Sequence, residues 1–191
     1  MSSRERGYQR AHLRAPYQEP VLFGDEDFIH KARSLNISEG GILLDEVPEF
    51  PAADEVPLLL HLPSYPYFKN FNLIKMQTFT RDLFPTKVIR AKGRMVRRIG
   101  ETTSVDDVFR PRFGIQFSQL GDHEQKYISE YVSVFASNLI YLQMLIDSWN
   151  TDEDIRLKTR ALADILGYQK IEKISELRRQ IGHDYQSLQW D

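Results

Sequence analysis

Cysteine is absent from all 191 residues, which excludes disulfides and thiolate metal sites and agrees with a reducing compartment. Long apolar runs are missing too. None approaches the roughly 20 residues needed to span a bilayer. The opening Met-Ser-Ser-Arg-Glu-Arg-Gly is polar and lacks the apolar stretch of a secretory signal. The expectation is a cytoplasmic protein with no membrane span. Nor is there an excess of one charge: 25 Lys and Arg stand against 27 Asp and Glu, a formal net charge of −2. No global field draws the chain toward nucleic acid or membrane, so any anion must be held by a local cluster.

Catalytic patterns are equally scarce. The five histidines, His12, His30, His61, His123 and His183, are scattered without metal-ligand spacing. There is no Gly-x-Ser-x-Gly elbow and no Gly-x4-Gly-Lys-Ser/Thr phosphate loop. Neighbouring acids such as Asp25 and Asp27 read as a solvated turn. The expectation is a binding protein rather than an enzyme, with no metal and no cofactor.

Proline is present but confined. All nine prolines fall between Pro16 and Pro111, and a 70-residue stretch without one, rich in Leu, Ile, Glu and Lys, reads as helical. Charge shifts at the same place, from 17 basic against 15 acidic residues over 1–120 to 8 against 12 over 121–191. The chain therefore divides into a first part, 1–120, and a helical extension, 121–191. In the first part, short apolar runs bounded by turn residues predict strands at Val21–Phe23, Gly41–Leu44, Val56–Leu62, Val88–Val96 and Phe113–Phe117. Several short strands without βαβ alternation predict a small barrel or sandwich.

In the second part, Ile128, Val132, Phe135, Leu139, Leu142, Ile146 and Trp149 recur at heptad spacing. This seam serves equally for packing on the chain's own barrel and for a homo-oligomer through residues 128–149. Thr151 is the expected N-cap of a further helix, with Asp152, Glu153 and Asp154 in its first turn, and Gly167 its expected end. A last amphipathic stretch runs from Ile171 to Leu188. Residues 161–168 have the look of a helix-turn-helix opening, but the acidic balance of the extension disfavours DNA.

Two local signals remain. Arg10-Ala-His-Leu-Arg14 sets two guanidiniums four residues apart, and the planar fork of arginine pairs with phosphate oxygens or with O6 and N7 of guanine. Asn36-Ile37-Ser38-Glu39-Gly40-Gly41 follows about 22 residues later. Its Asn and Ser either brace a tight turn or offer short donors and acceptors to a base. Its two glycines permit positive φ or a close backbone approach.

In this order and spacing, the two motifs resemble the PilZ family of bacterial cyclic di-GMP receptors, whose pattern is Arg-x3-Arg followed by Asp/Asn-x-Ser-x-x-Gly. The strands Leu58–Pro63, Gly93–Arg97 and Phe113–Phe117 are similar to the family's as well, and the resemblance covers roughly residues 6–130. It implies a six-stranded antiparallel β-barrel followed by C-terminal helices, with cyclic di-GMP bound on the barrel's outer surface. By motif, Arg10 and Arg14 would contact phosphates and guanine, Asn36 and Ser38 would contact guanine, and Gly41 would hold the turn. The implied role is a second-messenger receptor acting on a protein partner, as in motility regulation. The alternative is a nucleotide-independent adaptor assembling a motility or secretion complex.

Three features depart from that pattern. Gln9 stands where many members have another arginine, which leaves one or two ligand molecules per site open. The helical extension is longer than a minimal closing helix. Residues 64–89 are long and aromatic-rich, with Tyr65, Tyr67, Phe68, Phe71, Phe79 and Phe84 among lysines and arginines. Longer strands or a partner-binding hairpin are the favoured expectations there, ahead of a stacking platform for single-stranded nucleic acid. Finally, residues 1–13 hold a single large aliphatic, Leu13. Such a segment buries too little apolar area to offset its ordering entropy, which predicts an arm that orders on ligand binding.

Overall fold

The computed structural model describes residues 12–25, 27–47, 51–99, 112–150 and 152–188, with the side chains of 97–99 left aside. Its strands are β1 (Arg14–Pro16), β2 (Pro20–Asp25), β3 (Phe28–Ser38), β4 (Gly41–Asp45), β5 (Glu55–Pro63), β6 (Thr86–Ile99) and β7 (Arg112–Gln119). Its helices are α1 (Leu73–Gln77), α2 (Asp122–Asp147), α3 (Glu153–Ile165) and α4 (Ile174–Leu188).

β1 and β2 act as one interrupted strand. Both run antiparallel along the same edge of β3, from Arg14↔Ser38 to Asp25↔Phe28. Ser34 fills the break: its Oγ donates to Glu19 O at 2.7 Å and accepts from Glu19 N at 3.1 Å. The order β3-β2-β5-β6-β7-β4 then closes through β3–β4 pairing. The result is the six-stranded antiparallel barrel followed by helices, with alternate residues such as Val21, Phe23, Leu44, Leu60, Ile89 and Ile115 pointing inward. The five expected strands lie within β2, β4, β5, β6 and β7. β3 is an addition, and Asn36 to Ser38 belong to it rather than to a turn.

Residues 64–85 form neither long strands nor a hairpin. Two single 3-10 turns and α1 fold them over the barrel, and their rings interlock, except for Tyr67, which stays exposed. Phe79 stacks on Phe84 at 5.5 Å, Phe68 meets Phe71 edge-on at 5.4 Å, and Tyr65 contacts Phe84, Tyr131 and Phe135. The helical seam closes on this layer: Ile128, Val132, Phe135, Leu139, Leu142 and Ile146 are all buried within the one chain, and Trp149 is half-buried beneath the Arg160 guanidinium. Asn138 interrupts the seam with a polar clamp, accepting from Phe68 N at 3.0 Å and donating to Pro66 O at 2.9 Å.

The later helices attach by specific caps. Thr151 lies outside the described residues, and the N-cap of α3 is Asp152, whose side chain accepts from Asp154 N. Gly167 ends α3 as expected. It takes φ +98°, with Gly167 N donating to Asp164 O and Tyr168 N to Ala163 O, the paired bonds of a Schellman close. Arg81 reaches this turn from the insertion: a Cβ on Gly167 would lie 3.3 Å from its Nη1. Arg81 also ion-pairs with Glu19 beside Tyr65, so one half-buried cation joins the barrel, the insertion and the helices.

Two predictions follow from this layer. Asn138→Ala strips partners from the buried Phe68 N–H and the partly buried Pro66 carbonyl, a buried group costing about 1–3 kcal/mol when unsatisfied. Urea denaturation should register a loss of about 2–4 kcal/mol, and an unchanged midpoint would refute the clamp. The second concerns alkali. Burial raises the phenols of Tyr17, Tyr65, Tyr131 and Tyr168 above their ordinary value of 10.0. The folded chain then holds protons that the unfolded chain releases. The associated stability is complete below pH 10 and declines as pH rises above it. Tyrosinate absorbance at 295 nm should show a lagging group of phenols that ionise together with the loss of tertiary structure.

Candidate functional site

The candidate site is built on the C-terminal end of β3 and on β1. In a regular strand, alternate residues keep to one face. β3 breaks this rule at Leu35, where its pairing with β4 shifts by one residue between Ser34 and Asn36. Ala32 and Ser34 are the buried positions before the irregularity and Ile37 the fully buried one after it. The change of phase turns Asn36 and Ser38 to the outer face. β1 supplies the third member: Ala15 and Ile37, opposite one another and fully buried, point inward. Arg14, directly opposite Ser38, therefore shares the outer face with Ser38 and Asn36. Directly opposed residues in such a ladder have Cα atoms about 4.5–5.5 Å apart.

Each predicted residue has a definite place, except one. Arg10 lies outside the described residues. Arg14 and Asn36 are half-buried, and the Asn36 side chain makes no hydrogen bond with the described residues. Ser38 is more buried, at 6% exposure, and its Oγ donates to Gly41 O at 3.2 Å. The hydroxyl therefore braces the turn while its lone pairs stay available. Of the two conformational roles open to the glycines, Gly41 takes the close approach. It is the first residue of β4, and among the described residues the glycine with positive φ is Gly167, not Gly40 or Gly41. What Gly41 supplies is close approach, since a Cβ there would sit 2.3 Å from Ile115 O on β7. Gly40 is likewise covered, by His12, whose Cδ2 would be 2.9 Å from an added Cβ.

Sequence reasoning missed the second layer. Glu39, between the motif's Ser38 and Gly40, lies 3.7 Å from His12 Nδ1 and accepts from Ser129 Oγ on α2 at 2.8 Å. Two residues along α2, Tyr131 donates to Pro16 O at 2.9 Å. Helix α2 thus holds both strands of the site, one by its turn and the other by its backbone. His12 was visible inside the arginine motif. Ser129 carried no signal, because a lone serine beside a heptad seam reads as solvated surface.

The side chains of this face are of types that can pair with an anion or with a base edge. A guanidinium stands beside a short amide and a hydroxyl on a rigid sheet. Among the described residues no three His, Cys, Asp or Glu side chains converge as metal ligands, and no helix is long and apolar enough to cross a membrane. Gly41→Ala tests the geometry. Overpacking against the Ile115 carbonyl should cost about 1–3 kcal/mol, read as a lower melting temperature, whereas the same change at Gly182, which meets nothing within 4 Å, should not lower it.

The family model described as PilZ domain matches residues 8–133. Among solved structures, the Bacillus subtilis inhibitor of motility (MotI/DgrA) is 17% identical with a TM-score of 0.49, over 70% of this chain and 55% of that one. The chain thus spans about half the length of that relative. The PilZ domain of YcgR from Escherichia coli, solved with c-di-GMP, is 12% identical with a TM-score of 0.40, over 66% of this chain and 90% of that one. No curated protein matches. The family match extends from the N-terminal motif through the barrel into α2, and on it the chain belongs to the PilZ domain family.

Proposed function

We propose that this protein is a non-catalytic receptor for cyclic di-GMP that passes second-messenger level to a protein partner. The observation that carries the reading is the shared outer face of Arg14, Asn36 and Ser38, brought together by the register of β1 on β3. A cyclic dinucleotide offers two phosphates and two guanine edges. Arginine pairs with either in bidentate fashion, Asn36 supplies both a donor and an acceptor, and Ser38 accepts through the lone pairs left by its bond to Gly41.

Arg10, four residues before Arg14, would swing onto the same face as the arm settles. The arm's own composition favours such ordering on binding. Ordering about ten residues offsets much of the contact energy, so micromolar affinity is the natural expectation. The ligand's effect reaches the helices through bonds already present. Movement of the Glu39 turn loads Ser129, and movement of β1 loads Tyr131, both on α2. The partner would read the position of the arm and of that helix.

Calorimetry with purified protein tests the reading. Cyclic di-GMP should bind saturably, and GTP and cyclic di-AMP should not. Arg10→Ala and Arg14→Ala should each weaken binding at least tenfold, since a charge-assisted hydrogen bond is worth about 1.5–3 kcal/mol. Ser38→Ala should cost less. Wild-type protein that shows no saturable binding would leave the adaptor reading in its place.

A further inference from the structure

A second part of the barrel's outer surface breaks the rule that a solvated strand face is polar. Leu22, Ile29 and Leu59 line an open groove of about 550 Å3 with Gly24 and Pro57, and Ile29 is 79% exposed. The groove has its origin in the ladder. β2 and β5 pair only at Leu22↔Leu59 and Phe23↔Leu58, whereas β5 and β6 pair over nine positions. Pro57, next along β5, has no N–H to contribute to a ladder. Its ring lies over Gly24, where a Cβ would come within 2.9 Å. The two strands part at this point and leave an apolar slot.

Charge flanks the slot on both sides. β6 places Arg90 opposite Leu59 and Lys92 opposite Pro57, while β3 places Lys31 opposite Leu22. All three are exposed. Glu124, at the start of α2, is the single acid among the described lining residues. Apolar side chains held in water between cationic rims are a surface that a complementary chain would cover.

We propose that this groove docks an acidic amphipathic peptide segment of a partner protein. Its apolar side chains would enter the slot over Leu22 and Leu59, and its carboxylates would meet Arg90, Lys92 and Lys31. A slot this open, with charge along both rims, suits an extended peptide better than a small molecule, which would keep much of its surface in water. The site goes beyond the nucleotide reading and does not rest on it. Ile29 and Ser38 are nine residues apart on β3, up to about 30 Å along the strand.

The test is a titration of the isotope-labelled full chain, without nucleotide, followed by amide chemical shifts. The probes are a soluble decapeptide of Leu, Phe, Asp and Glu, its counterpart with Lys in place of the acids, and decanoate. The acidic peptide should saturably shift the amides of Leu22, Ile29, Leu59 and Lys92. The double variant Arg90→Glu with Lys92→Glu should weaken it at least tenfold while gaining affinity for the basic peptide, and Leu59→Ser should weaken it with the charges intact. An equal response to both peptides in the wild-type chain would overturn the proposal. So would saturation by decanoate alone, which would make the slot a small-molecule site. Shifts that follow protein concentration alone would also overturn it, because the occupant would then be a second copy.

Discussion

A strand that keeps strict alternation presents every second residue to the core, and a barrel this small needs that regularity to fill its interior. β3 has to satisfy the core at both ends and also present Asn36 and Ser38 outward beside Arg14. It does so through one extra residue, Leu35, which changes the phase of the strand. Before it the core receives Ala32 and Ser34, and after it Ile37. With an unbroken phase, Asn36 would follow Ser34 into the barrel and the motif would lose its outer face. The break where β1 passes into β2 on the facing edge answers this shift. Ser34, fully buried, satisfies the backbone of Glu19 there with both functions of its hydroxyl.

The second requirement is cover. A six-stranded barrel leaves its ends open, and here the aromatic insertion and α2 close one of them as a single layer. Tyr17 from the barrel, Tyr65 and Phe84 from the insertion and Tyr131 and Phe135 from the helix share ring contacts. Tyr17 ties this layer back to the sheet, donating to His61 O at 2.9 Å and accepting from His61 N at 3.1 Å. Because Tyr131 also binds Pro16, packing of the helix and positioning of β1 are one event. The candidate site stands on the outside of this same junction.

Local pattern made much of this legible. Bulky alternation marked the strands β2, β4, β5, β6 and β7, and the loss of proline with the onset of heptad spacing marked the helices. β3 escaped because its inward positions there are Ala32 and Ser34, too small and too polar to make an apolar run, while His30, Lys31 and Arg33 give it the look of a loop. The heptad seam showed which side chains of α2 are buried but not against what, since a stripe of that width fits a barrel or a second helix equally well. The insertion's rings were plain in the sequence. The turn that carries Phe68 is held by Asn138, some 70 residues away, and no local window contains that. The order of the arginine and Asn-x-Ser motifs was readable by resemblance. The bond from Glu39 to Ser129 joins residues 90 positions apart and was not.

The bond between Tyr131 and Pro16 spans 115 residues, and it sets a timetable for the chain during synthesis. The N-terminal strand is the first part of the barrel to leave the ribosome and among the last to be secured. Its partner β3 follows within some twenty residues, but its cover arrives only when α2 has been translated and released. Until then Ala15 of β1 and the adjoining Tyr17 have no helix over them, and the outer face carrying Arg14 rests on an unsupported ladder. Contacts this distant are slow to close. A chain arrested anywhere before α2 would carry both recognition motifs in its sequence and yet lack the support that holds them in register.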